Sequence, residues 1–322
     1  MVPDLQTIDQ AARRIHDYIH RTPVLSSRNI NSILGAEIFF KCENFQKTGS
    51  FKFRGATNGV LSLPNHEVRY GVCTHSSGNY AQALALAARN RGIKAYIVMP
   101  ETSSKVKVSA VQNYGGIITF CKPTLASREE TLKLVTKRTS ATELHPYNDY
   151  RTIAGQATAT KELVDEVPDL DYILAPVGGG GLISGTALAA HYISPTTSVV
   201  GTEPENANDA YQSFTTKIFV PSVNPTTIAD GLLTSLGSLT FPIILEHVHT
   251  IVTVREESII EAMKLIWERM KIIIEPSSAV PVAALLENCK KNDRETVDFK
   301  GKKIGVILSG GNVDLMKIPW ML

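Results

Sequence analysis

Four consecutive glycines, Gly178, Gly179, Gly180 and Gly181, stand between the apolar run Tyr172–Pro176 and the helix-like run Ile183–His191. In a strand–loop–helix setting such glycines leave backbone N–H groups bare beside a helix N-terminus, which makes a cup for a phosphate or a carboxylate. The spacing is not that of a dinucleotide fingerprint. Two and then three residues on from Gly178 or Gly179 stand Ile183 or Ser184, and no GxxxxGK[ST] occurs, so a smaller phosphate is expected. A second segment, Lys47-Thr48-Gly49-Ser50-Phe51-Lys52-Phe53-Arg54-Gly55, sets Lys52 between two aromatic residues. Desolvation by aromatic neighbours disfavours an ammonium, lowers its pKa and frees the amine for Schiff-base chemistry. A third segment, Thr74 to Gln82, offers Ser76, Ser77, Gly78 and Asn79 at the start of an Ala-rich helix. Hydroxyls, an amide and first-turn N–H groups there can bind a carboxylate and a ring oxygen. In the fourth, Leu308-Ser309-Gly310-Gly311-Asn312, Ser309 can hydrogen-bond a ring nitrogen.

These segments need a frame, and the frame reads as α/β. Eight β-branched or apolar runs read as strands: Ile38–Lys41, Val72–Thr74, Tyr96–Met99, Ile117–Cys121, Tyr172–Pro176, Ser198–Gly201, Ile251–Val254 and Ile304–Leu308. Between them lie helical segments, among them Ala81–Gly92, ending on a glycine, and Ser258–Lys271, with Ser258 as N-cap. Strand–helix alternation predicts mostly parallel sheets, with ligands at the C-terminal ends of the strands. Residues 71–148 hold three strand–helix repeats, which predicts a small mobile domain inserted between residues 1–70 and 149–322 of a large one.

The 322 residues carry 33 Lys+Arg against 31 Asp+Glu, with no basic run, so no nucleic-acid partner is expected. No apolar stretch reaches the roughly 18 residues of a membrane span, and the first 20 residues are polar and helix-like. A soluble, cytoplasmic protein with no membrane partner is the expectation. Cys42, Cys73, Cys121 and Cys289 form no CxxC pair, so reduced thiols are expected. His247 and His249 alternate on what reads as an exposed strand face.

The four chemical segments occur together in one known set. The stretches FFKCENFQKTGSFKFRGA, SSGN, IAGQ, PVGGGGLISG, TEPENANDAYQS, TIADG, WERMKIIIEP and LSGGNVDL, in order along nearly the whole chain, resemble the fold-type II pyridoxal-phosphate enzymes. Within these they are similar to the serine racemase and serine/threonine dehydratase family. The resemblance implies a tryptophan synthase β-like fold, two three-layer α/β domains with mostly parallel twisted sheets, in a homodimer. It implies pyridoxal 5'-phosphate joined to Lys52, with Phe51 on one face of the ring and Gly231 on the other. It assigns the phosphate to Gly178–Gly181, the ring hydroxyl to Asn79 and the ring nitrogen to Ser309. A neutral serine there cannot hold the ring nitrogen protonated, so the electron sink is weak and suits chemistry at Cα and Cβ of a small amino acid.

By the same resemblance Ser76, Ser77, Gly78 and Asn79 bind the substrate, and Ser77 is the second proton donor that inverts Cα. Family dehydratases carry alanine at that position, so racemisation of serine with accompanying elimination to pyruvate and ammonia is expected. The alternative is a threonine or threo-3-hydroxyaspartate ammonia-lyase without significant racemisation. Arg128 matches an arginine that approaches the substrate side chain, where its fork suits a hydroxyl or the second carboxylate of 3-hydroxyaspartate. Glu203, the Ala207 carbonyl and Asp209 match a site for Mg²⁺, Ca²⁺ or Mn²⁺, in keeping with oxygen ligands. A nucleotide-effector site for ATP is implied in part: Ser27, Lys47, Thr48 and Lys107 agree with it, Arg28 and Asn29 do not. Tyr80 stands where the family has histidine, and Thr234 departs from a nearby serine.

Overall fold

The computed structural model describes residues 1–76, 78–103, 105–290, 297–316 and 318–320. Among the described residues there are ten strands: β1 (Val24–Leu25), β2 (Glu37–Cys42), β3 (Val72–His75), β4 (Ala95–Pro100), β5 (Gly116–Cys121), β6 (Thr142–Glu143), β7 (Tyr172–Pro176), β8 (Ser198–Pro204), β9 (Thr250–Val254) and β10 (Lys303–Leu308). They form a six-stranded sheet in the order β1-β2-β10-β7-β8-β9 and a four-stranded sheet in the order β5-β4-β3-β6. Every pairing is parallel except β1 with β2.

Parallel strands covered on both faces bury nearly every side chain, and β7 and β10 are buried beyond their first residue. Leu174 and Val306 feed a core against helices Glu256–Met270 and Pro276–Lys290, while Ile173 and Ile307 feed one against helices Tyr150–Glu166 and Gly181–Ile193. The large sheet is thus the middle of three layers. The small sheet likewise has one core with helix Asn79–Arg91 and another with helix Leu125–Thr139. Its strands come from residues 72–143, and those of the large sheet from the chain before and after.

All eight expected strands are present, mostly extended by one to three residues. Strands β1 and β6, two residues each, show no periodicity to read. Helix Asn79–Arg91 ends on Gly92 in the left-handed region (φ 72°), as a C-terminal glycine should. The Ser258 cap is not formed: the helix starts at Glu256, with Arg255 in the cap position, and Ser258 is buried in its first turn. The two histidines are not on a strand either. His247 ends helix Thr240–His247 with its ring 4.7 Å from that of His191, and His249 is an exposed loop residue. The apolar periodicity there belongs to a helix, whose Pro242 sits in the first turn where no N–H bond is needed.

Helices Lys52–Ser62 and Tyr150–Glu166 cross almost backbone to backbone. A Cβ on Gly155 would lie 2.6 Å from the Arg54 carbonyl oxygen and 2.8 Å from the Gly55 Cα, atoms that no rotamer change can move aside. Gly155→Ala should therefore destabilise the protein by about 1–3 kcal/mol through overpacking, read as a lower denaturation midpoint with unchanged slope.

Candidate active site

Two loops laced together hold Lys52. The Phe51 N–H donates to the Ser309 carbonyl (3.0 Å), the Gly311 N–H donates to the Gly49 carbonyl (2.9 Å), and Ser50 bridges to Gly310. Helix Lys52–Ser62 starts there, and its first residue sends an amine to the Pro146 carbonyl oxygen (3.1 Å). The Nζ lies 4.9 Å from the Phe51 ring centroid and 6.0 Å from that of Tyr80. Phe53, the other flanking aromatic, turns instead into the core with Leu84 and Ile97. Burial pushes the Lys52 amine down to about 8, against the opposing charge of Glu275. The lowering read from sequence is present, with Tyr80 in the place expected of Phe53.

The glycine run follows β7 and opens helix Gly181–Ile193, with Gly180 at φ 86°. The amides of residues 178–180 precede the first turn, so the helix offers them no acceptor and they remain open to an anion. The cup admits no side chain. A Cβ on Gly179 would lie 2.4 Å from the Tyr147 ring, and one on Gly181 2.6 Å from Gln156 Oε1. Thr240 Oγ1 donates to the Gly179 carbonyl (2.9 Å), which fixes the loop from behind.

Asn79 joins the small sheet to the large one. Its Nδ2 donates to both oxygens of Glu275 (2.8 and 3.1 Å), and its Oδ1 accepts from Asn312 Nδ2 (2.9 Å). Burial, aided by the charge of Asp230, pushes the Glu275 carboxyl up to about 7. Ser309 is buried, with its hydroxyl 3.1 Å from that of Ser278, and the Gly231 N–H donates to Ser277 Oγ (3.1 Å). Glu275, Asn312, Tyr80 and the Pro146 carbonyl are thus parts of the site that sequence reasoning left unassigned. Glu275 and Asn312 do lie in the IIIEP and SGGN stretches, which were the available signal.

In the segment expected to meet the substrate, the Gly78 N–H donates to Ser76 Oγ (3.4 Å). Ser77 lies outside the described residues. Arg128 is in the first turn of helix Leu125–Thr139, its Nε buried without a hydrogen-bond partner and its charge felt at His75. His75 and His145 meet edge to face at 6.1 Å. Burial, with His75 and Lys52 adding to it, pushes His145 down to about 4.

Glu203 and Asp209 come together away from the amine. Glu203 accepts the Ala210 and Tyr211 N–H groups (3.0 and 2.8 Å), and neither oxygen of Asp209 has a partner. Burial raises both carboxyls, Glu203 to about 9 with help from Asp209, and Asp209 to about 6. Two buried carboxylates lacking charge compensation fit a hard cation, with the buried Ala207 between them in sequence. Among the described residues no cluster of three or more His, Cys, Asp or Glu is placed to hold a metal, so backbone and water oxygens would complete the shell.

Three of the four candidate effector residues are engaged by other partners through their side chains. Ser27 caps helix Arg28–Leu34, Lys47 donates to the Tyr18 carbonyl, and Lys107 is paired with Asp230 across the two sheets. Thr48 has a positive φ of 61° and an unpartnered buried hydroxyl.

A dry amine of low pKa, an aromatic face beside it, a neutral hydroxyl and a cup of bare amides fit a phosphate-bearing aromatic aldehyde. The sequence pattern of the family described as "Pyridoxal-phosphate dependent enzyme" matches residues 15–310. A beta-hydroxyaspartate dehydratase from Paracoccus denitrificans is 48% identical over 319 residues, 99% of each chain. A serine racemase from Dictyostelium discoideum is 49% identical over 321 residues, 99% of this chain and 97% of that protein. The solved structure of maize serine racemase superposes with a TM-score of 0.94 at 43% identity, covering 100% of this chain and 97% of the other. Among the described residues no helix is long and apolar enough to cross a membrane.

The cofactor-free protein should label at Lys52 with an amine reagent at a midpoint near pH 8 instead of the ordinary 10.5. Glu275→Gln should move that midpoint lower, because the charge that favours the ammonium is gone; a midpoint that stays or rises contradicts the assigned electrostatics. For stability the sign follows from a lowered amine. Between about 8 and 10.5 the unfolded chain holds a proton that the folded chain has released, so the cost of burying Lys52, full below about 8, is relieved as pH rises through that window.

Proposed function

The chain belongs to the pyridoxal-phosphate dependent enzymes, and on that footing we propose that it racemises serine and, at the same site, eliminates the β-hydroxyl of serine to give pyruvate and ammonia. The carrying observation is the Lys52 amine, dried by Phe51 and Tyr80 and held down to about 8. The two serine racemases support the choice of substrate. Pyridoxal phosphate, when bound, draws electrons from Cα of an attached amino acid and so weakens its Cα–H bond and permits loss of a β-hydroxyl.

Each residue then has a task set by its position. Lys52 would hold the cofactor, with Phe51 and Gly231 as the two walls, and its free amine would take the Cα proton from one face. A base with a pKa of about 8 is matched to that transfer near neutral pH. The bare amides of Gly178–Gly181 hold the phosphate, Asn79 meets the ring hydroxyl, and Ser309 gives the ring nitrogen a neutral partner. Ser76, Ser77, Gly78 and Asn79 receive the substrate carboxylate. Ser77, as the proton donor on the opposite face, is what separates inversion from elimination.

A second reading has its own support. The Arg128 Nε is buried and unpartnered close to His75, an arrangement suited to a second carboxylate, and the Paracoccus relative carries the name beta-hydroxyaspartate dehydratase. In that reading the chain is an ammonia-lyase for threo-3-hydroxyaspartate, or for threonine, without significant racemisation.

Several finer assignments go with the proposal. A Mg²⁺, Ca²⁺ or Mn²⁺ ion is held by Glu203, the Ala207 carbonyl and Asp209, supported by the uncompensated carboxylates. ATP acts as effector at Ser27, Lys47, Thr48 and Lys107, and has to draw Lys107 from Asp230. Residues 71–148 move as a small domain, and the enzyme is a cytoplasmic homodimer.

Lys52→Ala should abolish both reactions, and Ser77→Ala should remove racemisation while sparing elimination, both read by chiral analysis of L-serine incubations. Undiminished interconversion of the enantiomers in Ser77→Ala would refute that residue's role, and pyruvate without D-serine from the unaltered enzyme would select the lyase reading. Glu203→Gln should cost at least about tenfold in Mg²⁺ affinity, measured as loss of the thermal shift that Mg²⁺ gives the unaltered protein.

A further inference from the structure

A cluster of buried charge beneath helix Lys52–Ser62 takes no part in the chemistry above. Arg54, fully buried, donates from Nε and Nη2 to the two oxygens of Glu43 (2.7 and 2.9 Å) and from Nη1 and Nη2 to the two oxygens of Glu162 (both 2.8 Å). Thr22 Oγ1 donates to Glu43 (2.5 Å), and Lys41 Nζ donates to Glu162 and to the Thr22 carbonyl (both 2.7 Å). Two cations face two carboxylates, so the cluster is neutral. Glu43 directly follows strand β2, and Glu162 lies in helix Tyr150–Glu166. One planar guanidinium therefore ties the start of the Lys52 helix both to the large sheet and to the helix it crosses. A lysine, a point charge on a flexible stem, cannot form two such forks at once.

The position of this tie along the helix is informative. The first turn of a helix is its least secured part, because its N–H groups have no partner within the helix. Lys52 is the first residue of that turn and Arg54 the third, so their side chains leave the axis roughly 200° apart. A group pinned on one side of the turn thus dictates where the other side points. We infer that Arg54 is the positioning residue of the reactive amine, its double fork aiming Lys52 at the Pro146 carbonyl and away from water. This rests on the reading of Lys52 as the cofactor lysine. Lys41 belongs to the same cluster but makes no bond to the helix, which makes it the natural control.

The test compares holoenzyme of Arg54→Lys, Glu162→Gln and Lys41→Met, each assayed well below its own melting temperature. Three quantities are read: kcat, the melting temperature, and the rate at which hydroxylamine strips the lysine-bound cofactor and bleaches its visible band. Lys41→Met should lower the melting temperature and leave kcat and the stripping rate within about twofold of the parent, since both forks remain. Arg54→Lys should lower kcat by about tenfold to a hundredfold and speed stripping by a similar factor, because a misaimed amine is both a poorer base and open to water. Arg54→Lys matching Lys41→Met in kcat and stripping would overturn the inference. Should Arg54→Lys not fold, Glu162→Gln decides: it loses one charged fork, so smaller shifts in the same directions support the role and unchanged values overturn it. A parent protein lacking any lysine-bound cofactor band overturns the functional reading itself, a result separate from either of these.

Discussion

Taking water away from an ammonium destabilises it, and the site depends on doing this to one lysine without leaving its nitrogen unbonded. The structure meets the first demand with two rings, Phe51 from the adjoining residue and Tyr80 from the small sheet's first helix. It meets the second with a backbone carbonyl, that of Pro146, which accepts a hydrogen bond without adding a charge that would pull the pKa back up. A carboxylate in the same place would have defeated the purpose. The nearest charged influence, Glu275, is itself pushed up to about 7, so its pull on the amine weakens as pH falls.

The same amine sets the relation between the two sheets. Lys52 starts a helix that precedes the small sheet, its acceptor Pro146 lies where the chain returns from it, and Tyr80 belongs to it. The Asn79–Glu275–Asn312 bonds and the Lys107–Asp230 pair hold the two units together around that point. Asp230 adjoins Gly231, the proposed wall of the cofactor slot, so the Lys107–Asp230 pair lies one residue from that wall. A group that draws the Asn79 amide away from Glu275 leaves a buried carboxyl without that donor.

What could be read in the sequence was whatever is encoded locally. Four adjacent glycines announce a backbone that something must approach closely, and the strand and helix on either side are periodic enough to fix their place. Lys52, the proposed reactive lysine, was legible because it is bracketed by aromatics, yet the bracket was half misleading. Successive residues on a helix leave the axis about 100° apart, so Phe51, Lys52 and Phe53 cannot all share one face, and Phe53 went to the core. Tyr80, Glu275 and Asn312 reach the site from elements far apart in the chain, so no local spacing sets them beside Lys52. Ser258 looked like a cap because serine usually is one, but Glu256 and Glu257 suit the positive end of a helix and carry the start three residues earlier.

Two pairs of carboxylates, all buried but the part-buried Glu162, show how differently the chain treats the same cost. Glu43 and Glu162 are answered by Arg54 and Lys41 at 2.7–2.9 Å, charges that cannot leave, and the Glu162 carboxyl is accordingly held below the usual range despite burial. Glu203 and Asp209 are answered by two backbone amides on Glu203, and both carboxyls rise. The first pair lies under the helix that aims the amine, where any variation in geometry would reach the chemistry. The second lies where β8 gives way to the short helix Asp209–Thr216, the place proposed for a cation taken from solution. Fixed charge therefore stands where geometry has to be constant, and the proposed exchangeable cation stands where the local structure can be made to depend on whether it is bound.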